Sequence, residues 1–121
     1  MIYIEKNEQL IDKLKDTLSL TSSSIFRIDT YSREYSLIVD VYIKLLYAKE
    51  RNEMMLRFNG IETYQFFYTS KHSFYNVEIL KFFPTKDNKF YISFDPVDEN
   101  EEIDINDNDV IKGETVEGYF L

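Results

Sequence analysis

Acidic side chains are concentrated in one segment of this chain, and carboxylates can hold cations or attract a positively charged partner. The sequence has 121 residues, with 22 acidic and 14 basic side chains and a net charge of −8. Eight acids and no base lie between positions 95 and 109, which leaves a neutral remainder of 14 acids and 14 bases. The eight are Asp95, Asp98, Glu99, Glu101, Glu102, Asp104, Asp107 and Asp109.

One interpretation of this segment is a calcium loop. Asp104, Asn106 and Asn108 occupy positions one, three and five of an EF-hand loop, where oxygen ligands are needed. The sixth position, where glycine makes the turn, is Asp109, and the twelfth, where a bidentate glutamate belongs, is Thr115. Flanking helices are not predicted either, so we predict no specific metal site.

The second interpretation is a docking surface for a basic protein. Charges of one sign in so short a segment create a potential that speeds encounter with a cationic partner. Tyr91, Tyr119 and Phe120 are aromatic residues of the kind that supply buried anchors at interfaces. The simpler alternative is a solvated loop that only keeps the protein soluble.

Side chains suited to catalysis are scarce. The single histidine, His72, lies between Lys71 and Ser73 in a polar stretch typical of a solvated turn. The three glycines, at positions 60, 113 and 118, cannot form a glycine-rich phosphate loop. Residues 22–24 are serines without the context of a serine nucleophile. We therefore predict a protein that is not an enzyme and has no cofactor.

An alternative function is a small-molecule-binding or enzymatic α+β domain with a cavity lined by some of the 20 Phe and Tyr residues. Four acids lie on predicted strands, and two of them can converge in such a cavity: Asp40, Glu53, Glu62 and Glu78. On a face shared with Arg57, such carboxylates are more often solvated partners of the base than a catalytic pair.

The composition and the N-terminal sequence limit the kinds of partner and the cellular location that we expect for this protein. A pI near 4.6 disfavours nucleic-acid backbones and anionic membranes, because both require positive charge on the protein. The start, MIYIEKNEQL, lacks the basic and apolar regions of a secretory signal, and no apolar run approaches the ~18–20 residues needed to cross a bilayer. Cysteine is absent. These features predict a cytoplasmic protein formed by a single domain, residues 1–121.

One helix and one long strand are predicted in the first half of the chain. An apolar stripe at helical spacing predicts a helix from Asn7 to about Leu20, with Asn7 as its N-cap. From Ser36 to Ala48 the period of the apolar residues changes to two, which predicts a strand, with a helix as the competing interpretation.

Turn signals divide the second half into strands. Asn59-Gly60 predicts a two-residue hairpin turn, because both residues tolerate positive φ. A second hairpin is predicted from residues 74–83 and 89–94, with tail strands at residues 103–105 and 110–120. We therefore predict an α+β fold in which the N-terminal helix packs on a curved, mostly antiparallel sheet of six or seven strands.

The sequences MMLRFNGIETYQFF and NVEILKFFPTKDNKFYISFDP resemble the β-rich immunity proteins of bacterial toxin and immunity pairs. The likeness covers roughly Ser36 to Asp95 and consists of strand rhythm, so it assigns a role to no residue. It implies a cytoplasmic protein that binds a toxin domain, often a basic nuclease, and blocks its active site with acidic groups that stand in for phosphates. A homo-oligomer formed through a sheet edge, or through Tyr119 and Phe120, is compatible with either function.

Overall fold

The computed structural model describes residues 1–16, 18–46, 48, 51–71 and 76–121. These residues form an N-terminal helix and one open antiparallel sheet of seven strands, which confirms the predicted class and general architecture. In chain order the elements are β1 (Ile2–Lys6), α1 (Asn7–Asp16), β2 (Ser24–Arg33), β3 (Ser36–Lys44), β4 (Glu53–Gln65), β5 (Lys81–Pro84), β6 (Phe90–Asp95) and β7 (Asn108–Phe120).

Strand β7 lies at the centre of the sheet. The strand order is β2-β3-β4-β7-β6-β5, and β1 also pairs with β7. One side of β7 pairs with β4 over most of its length, from Val110 opposite Gln65 to Phe120 opposite Met54. The other side pairs first with β6 and then, from Glu117 onward, with β1. Three strands therefore pair with this one element.

Helix α1 is joined directly to β1 and packs on one face of the sheet. The predicted capping role of Asn7 is replaced by a link to the sheet. Asn7 takes a positive φ of 53°, and its side-chain oxygen accepts a hydrogen bond from the Val116 amide at 3.0 Å. Val116 lies in β7 between the stretches paired with β6 and β1, so Asn7 satisfies an amide that neither strand reaches.

The core lies between α1 and the sheet. Leu10, Ile11 and Leu14 of the helix are buried against alternate residues of the strands, as the two periodicities require. Each such side chain contributes about 1.5–3 kcal/mol by leaving water. The strand residues of this face include Val39, Val41, Ile43, Met54, Leu56, Phe58, Phe90, Ile92, Phe94, Ile111 and Val116.

The predicted hairpin at Asn59-Gly60 is wrong. Strand β4 runs through this dipeptide without turning, because β7 pairs with it on both sides of Gly60. Gly60 keeps the positive φ that the signal indicates, 63°, but uses it within a strand whose register shifts between Ile61 and Thr63. A Cβ on Gly60 would lie 2.7 Å from the Glu114 side chain.

The remaining predictions are confirmed in part. A strand forms at Ser36–Lys44 rather than the competing helix, and the last tail strand is β7. The second hairpin is β5 with β6, although its first arm begins at Lys81, and residues 74–75 lie outside the described residues. The tail strand predicted at residues 103–105 is wrong, because these residues belong to a loop. Strands β1 and β2 were not predicted.

Candidate functional site

The acidic residues lie mainly in one connection, residues 96–107 between β6 and β7, which we call the acidic loop. The loop passes along β5, where the Lys81 Nζ donates a hydrogen bond to the Glu102 carbonyl at 2.8 Å. It also approaches helix α1, because the Lys15 Nζ lies 2.9 Å from a Glu101 carboxylate oxygen. The acidic loop is thus attached to the two elements beside it.

The buried carboxylate of Asp107, the last residue of the acidic loop, connects the loop to the sheet. Its two oxygens lie 3.0 Å from the Lys81 Nζ, and one of them accepts a 2.6 Å hydrogen bond from the Tyr91 hydroxyl. The backbone amides of Val97 and Asp104, at opposite ends of the loop, donate to the same carboxylate at 3.0 and 3.1 Å. One side chain therefore ties both ends of the loop to β5 and β6.

The alternation of β5 and β6 explains why these partners meet. Lys81 and Tyr91 alternate with the core residues Phe82 and Ile92, so they point to the face opposite helix α1. Burial alone would raise the pKa of Asp107, but hydrogen bonds from Tyr91, the Val97 amide and Lys81 outweigh it, and the pKa is lowered. Burial, followed by the hydrogen bond to Asp107, raises the pKa of Tyr91. The cluster is therefore an ion pair with a neutral tyrosine.

The predicted site residues separate into three groups. Glu99, Glu101 and Glu102 are exposed on the acidic loop. Asp95, Asp98 and Asp104 are half-buried, and the Asp98 carboxylate lies 3.3 Å from the Lys81 Nζ. Asp107, Asp109 and Tyr91 are buried, and Asp109 accepts a hydrogen bond from the Phe67 amide at 3.3 Å. The available acidic surface is therefore smaller than the eight carboxylates of the sequence.

Of the predicted aromatic anchors, Tyr91 is buried beneath this surface, and Tyr119 and Phe120 are not brought to it. Tyr119 and Phe120 lie at the far end of β7, about 40 Å along the strand from Asn108. The Tyr119 hydroxyl is hydrogen-bonded to Glu117, and Phe120 packs against the core. The acidic loop and the tail pair are therefore two separate regions.

Exposed aliphatic residues on the acidic loop are the feature that the sequence analysis missed. Val97, Ile103 and Ile105 are 47%, 51% and 95% exposed, although aliphatic side chains gain from burial. Ile103 and Ile105 are the ends of the segment that was predicted to be a tail strand. The loop thus presents apolar and acidic side chains together.

A groove of about 460 Å³ lies between the acidic loop and the β5–β6 turn. Phe83 and Pro84 line it from β5, and Glu101, Glu102 and Ile103 line it from the loop. Asp87 of the turn also borders it, and hydrogen bonds from Thr85 and Lys112 lower the pKa of Asp87 to about 2. The groove therefore combines apolar walls with ionised carboxylates.

The other carboxylates considered for an active site do not converge. Asp40 is buried and bound to Arg57 and Tyr31, with Arg57 Nε at 2.9 Å. Glu62 pairs with Lys89 and Lys112, each at 2.8 Å. Each carboxylate is accounted for by its own cation.

Glu53 and Glu78 are exposed. Within the described part of the chain, no group of three or more metal-ligating side chains is arranged to hold an ion, and no helix is long and apolar enough to span a bilayer. His72 lies outside the described residues.

Comparisons with protein-family models, curated proteins and solved structures find no match to this chain.

Proposed function

We propose that this protein is a non-enzymatic binding protein that docks a basic protein partner on the acidic loop. The observation that carries the proposal is the combination of exposed carboxylates and exposed aliphatic residues on a loop held by the buried Lys81–Asp107 pair. A loop that only kept the protein soluble would need neither the anchor nor Ile105, which is 95% exposed.

The two kinds of side chain have different roles in binding. Glu99, Glu101 and Glu102 attract the partner over a distance, which raises the association rate and makes it sensitive to salt. Ile103 and Ile105 supply apolar area that leaves water only in the complex and slows dissociation. Because the loop is already held at both ends, little conformational entropy is lost on binding.

The more specific proposal is an immunity protein of the cytoplasm that neutralises a basic bacterial toxin, such as a nuclease. The resemblance in strand rhythm between residues 36 and 95 favours this class. A nuclease binds phosphates with cationic side chains, and exposed carboxylates in a short loop present matching charges. The protein would then cover the nucleic-acid site of its partner.

The test compares two triple variants that change the net charge equally, from −8 to −5. The loop variant carries E99Q, E101Q and E102Q, and the control carries E8Q, E34Q and E53Q, which are exposed carboxylates elsewhere. The partner is the toxin domain that this proposal expects to be encoded in a neighbouring gene, and its association is measured by stopped flow at about 50, 150 and 500 mM NaCl. We expect the loop variant to associate about tenfold more slowly at 50 mM, with a flatter salt dependence.

The control variant should associate at nearly the wild-type rate. Equal slowing in both variants would assign the effect to net charge rather than to the loop, and unchanged kinetics in the loop variant would reject the site. The immunity role has its own readout, since co-expression should protect cells from the toxin domain and the loop variant should protect them less.

A further inference from the structure

We propose that two copies of this chain pair through the free edge of strand β2, with the two β2 strands antiparallel about a two-fold axis at Tyr31. The inference is independent of the proposed function, because β2 and the acidic loop lie at opposite edges of the sheet. It assigns a second interaction surface and names its occupant.

The two edge strands of the sheet differ in length and in cover. Strand β5 has four residues, and the acidic loop is bonded to it through Lys81. Strand β2 has ten residues, and among the described residues only Asn76 bridges its outer side, at Ser24. Neither proline nor lysine, which commonly protect such edges, occurs in β2. The outer backbone groups of β2 are therefore open to pairing with another chain.

The turn between β2 and β3 decides which backbone groups of β2 face outward. Arg33 and Ser36 flank this two-residue turn and are paired, so the amide and carbonyl of Arg33 point to β3. Directions alternate along a strand, so those of Thr30 and Ser32 point away from the sheet. Both residues are exposed, and the ladder with β3 has no register shift from Arg27 to Arg33. This part of the edge is therefore regular.

The charges of β2 exclude most registers of a symmetric pair. In an antiparallel pair, facing residues bond in the same direction, so a two-fold axis passes through one residue of β2. An axis at Asp29 would place two carboxylates opposite each other, and an axis at Thr30 would place Arg27 opposite Arg33. A register nearer the start of β2 would run across its bulge and into the residue that is already bridged.

An axis at Tyr31 brings complementary groups together. Asp29 of each copy lies opposite Arg33 of the other, which is a favourable cross-strand pair. Thr30 of each copy lies opposite Ser32 of the other, and these residues exchange their outward backbone hydrogen bonds. The two Tyr31 residues face each other at the axis, where no hydrogen bond separates the strands. Charge and backbone direction therefore agree on one register.

The two charged side chains of this contact can accept a second partner. Arg33 takes part in no ion pair among the described residues, and its guanidinium lies 5.9 Å from the Tyr31 ring. Asp29 is bonded to Arg27 through one carboxylate oxygen at 2.9 Å, and its side chain is 32% exposed. A carboxylate has about four acceptor sites, so Asp29 can keep this bond and accept one from Arg33 of the second copy.

The same register covers exposed aromatic residues beside the edge. Tyr35, in the turn, is fully exposed, and Phe26 is 51% exposed. Tyr35 and Arg27 are both four residues from Tyr31, so the turn of each copy reaches Arg27 and Phe26 of the other. An arginine beside a tyrosine ring and an exposed phenylalanine are typical contacts of an interface.

The net charge of −8 does not oppose this dimer. The acidic segment, residues 95–109, lies on β7 and beyond it, and β7 is separated from β2 by β3 and β4. Three strand spacings are about 14 Å, which exceeds the Debye length of about 8 Å at physiological salt. The dimer therefore keeps the acidic segments of its two copies apart and both acidic loops free.

Sedimentation equilibrium of the full chain tests the association. We expect a reversible monomer–dimer equilibrium with a Kd of the order of 100 μM, because a short strand pair buries less area than the ~1,600 Å² of a stable interface. A monomer at every concentration up to about 1 mM would overturn the proposal.

A proline at position 30 tests whether the β2 edge forms the dimer. Thr30→Pro removes an outward amide and leaves the ladder with β3 intact, whereas Thr30→Val keeps the amide. We expect the proline variant to weaken the dimer at least about tenfold and the valine variant to dimerise like the wild type. Circular dichroism and urea unfolding check that both variants fold. Unchanged dimerisation of the folded proline variant would overturn the proposal.

A charge reversal tests the edge without a proline. Arg33→Glu and Arg51→Glu both change the net charge from −8 to −10, and both positions are exposed. Arg33→Glu places a carboxylate opposite Asp29, so the dimer should weaken at least about tenfold, while Arg51→Glu should have little effect. Equal weakening by the two variants would assign the effect to net charge and overturn the register.

Single cysteines measure the register directly, because the natural chain has none. Tyr31→Cys places two thiols opposite each other at the axis, at a Cβ separation of about 4.5–5.5 Å, close to that of a disulfide. With oxidised glutathione, this variant should form a covalent dimer at least about tenfold faster than Ser32→Cys, whose thiol faces Thr30. A mixture of Asp29→Cys and Arg33→Cys should give mainly the mixed dimer. Equal rates for Tyr31→Cys and Ser32→Cys would refute the axis at Tyr31.

Discussion

Two of the ion pairs on the sheet face opposite helix α1 differ in what covers them. Lys81 and Asp107 are 3.0 Å apart, with side chains that are 1% and 0% exposed beneath the acidic loop. Arg57 and Asp40 are 2.9 Å apart, with side chains that are 22% and 3% exposed, and the flanking aromatic rings of Tyr31 and Tyr119 lie beside them. The Lys81–Asp107 pair is therefore shielded from water, whereas the Arg57–Asp40 pair is partly exposed to it.

The difference shows how one kind of interaction serves two purposes. The Lys81–Asp107 pair connects a loop to the sheet, so its loss releases backbone amides as well as a charge. The Asp40–Arg57 pair connects neighbouring strands whose backbones are already bonded, and its hydrogen bonds raise the pKa of Arg57 above the ordinary value. The Lys81–Asp107 pair therefore matters for the local structure of the acidic loop, and the Asp40–Arg57 pair matters mainly for the surface of the sheet.

Replacing Asp107 with alanine should have the largest effect on stability. The change leaves the Lys81 ammonium buried without its partner and frees the amides of Val97 and Asp104. Breaking a buried ion pair in this way costs about 3–5 kcal/mol. Urea unfolding measures the loss, and D98N is the matched control, because Asp98 also contacts Lys81 but is 44% exposed. A loss below about 1 kcal/mol would contradict the anchoring role.

The same carboxylate gives the stability of the wild-type protein a pH dependence. The folded pKa of Asp107 lies below its ordinary value of 3.8, so its contribution is present above pH 3.8 and is lost as the pH falls through the lower folded value. Urea unfolding between pH 2 and 5 should show this decline, and it should be weaker in D107N.

Replacing Asp40 with alanine should have a smaller effect, about 1–3 kcal/mol, because the Tyr31 hydroxyl and the Arg57 guanidinium lose an acceptor but Arg57 can turn to water. The matched control is D29N, which removes the partner of Arg27 in a pair whose side chains are 62% and 32% exposed. A loss equal to that of D107A would mean that covering by the acidic loop makes no difference to such a pair.

Replacing Glu62 with glutamine should have the smallest effect. Glu62 bridges Lys89 and Lys112, which lowers its pKa, but its side chain is 42% exposed and water and salt screen the interaction. The change in the urea midpoint should be a small fraction of that for D107A and should disappear in 1 M salt. An effect that persists at high salt would show that the bridge is protected from solvent.

Elements that show a periodic pattern of apolar residues, such as α1 and β3, were predictable from the sequence. Features that depend on which strands pair with each other were not. Gly60 has a positive φ, which suits both a hairpin turn and an irregular position within a strand. Pairing with β7 on both sides of Gly60 makes it a strand residue, and the local sequence does not indicate this pairing. The two-residue turn that does exist, Glu34-Tyr35, has φ values of 53° and 66° without a residue that favours them. The ladder between β2 and β3 imposes this turn, and it leaves no signal in the sequence.

Strand β2 was missed for a related reason. Its register shifts between Ile25 and Arg27, so apolar residues do not alternate along it. Within the acidic loop, the sequence located the charge but not its orientation. Asp107 turns inward because Lys81, 26 residues earlier, lies beneath it, and nothing near Asp107 in the sequence indicates that partner.

The central place of β7 has a consequence for the order in which this protein folds. Strand β1 begins the chain and pairs with β7 near its end, so β1 cannot join the sheet until β7 forms, whereas β2, β3 and β4 can pair in sequence. Pairing β1 with β7 closes a loop of more than 100 residues. Such long-range closure is typical of domains that fold in milliseconds to seconds, so we expect slow, highly cooperative folding that exposes unpaired strand edges until its final step.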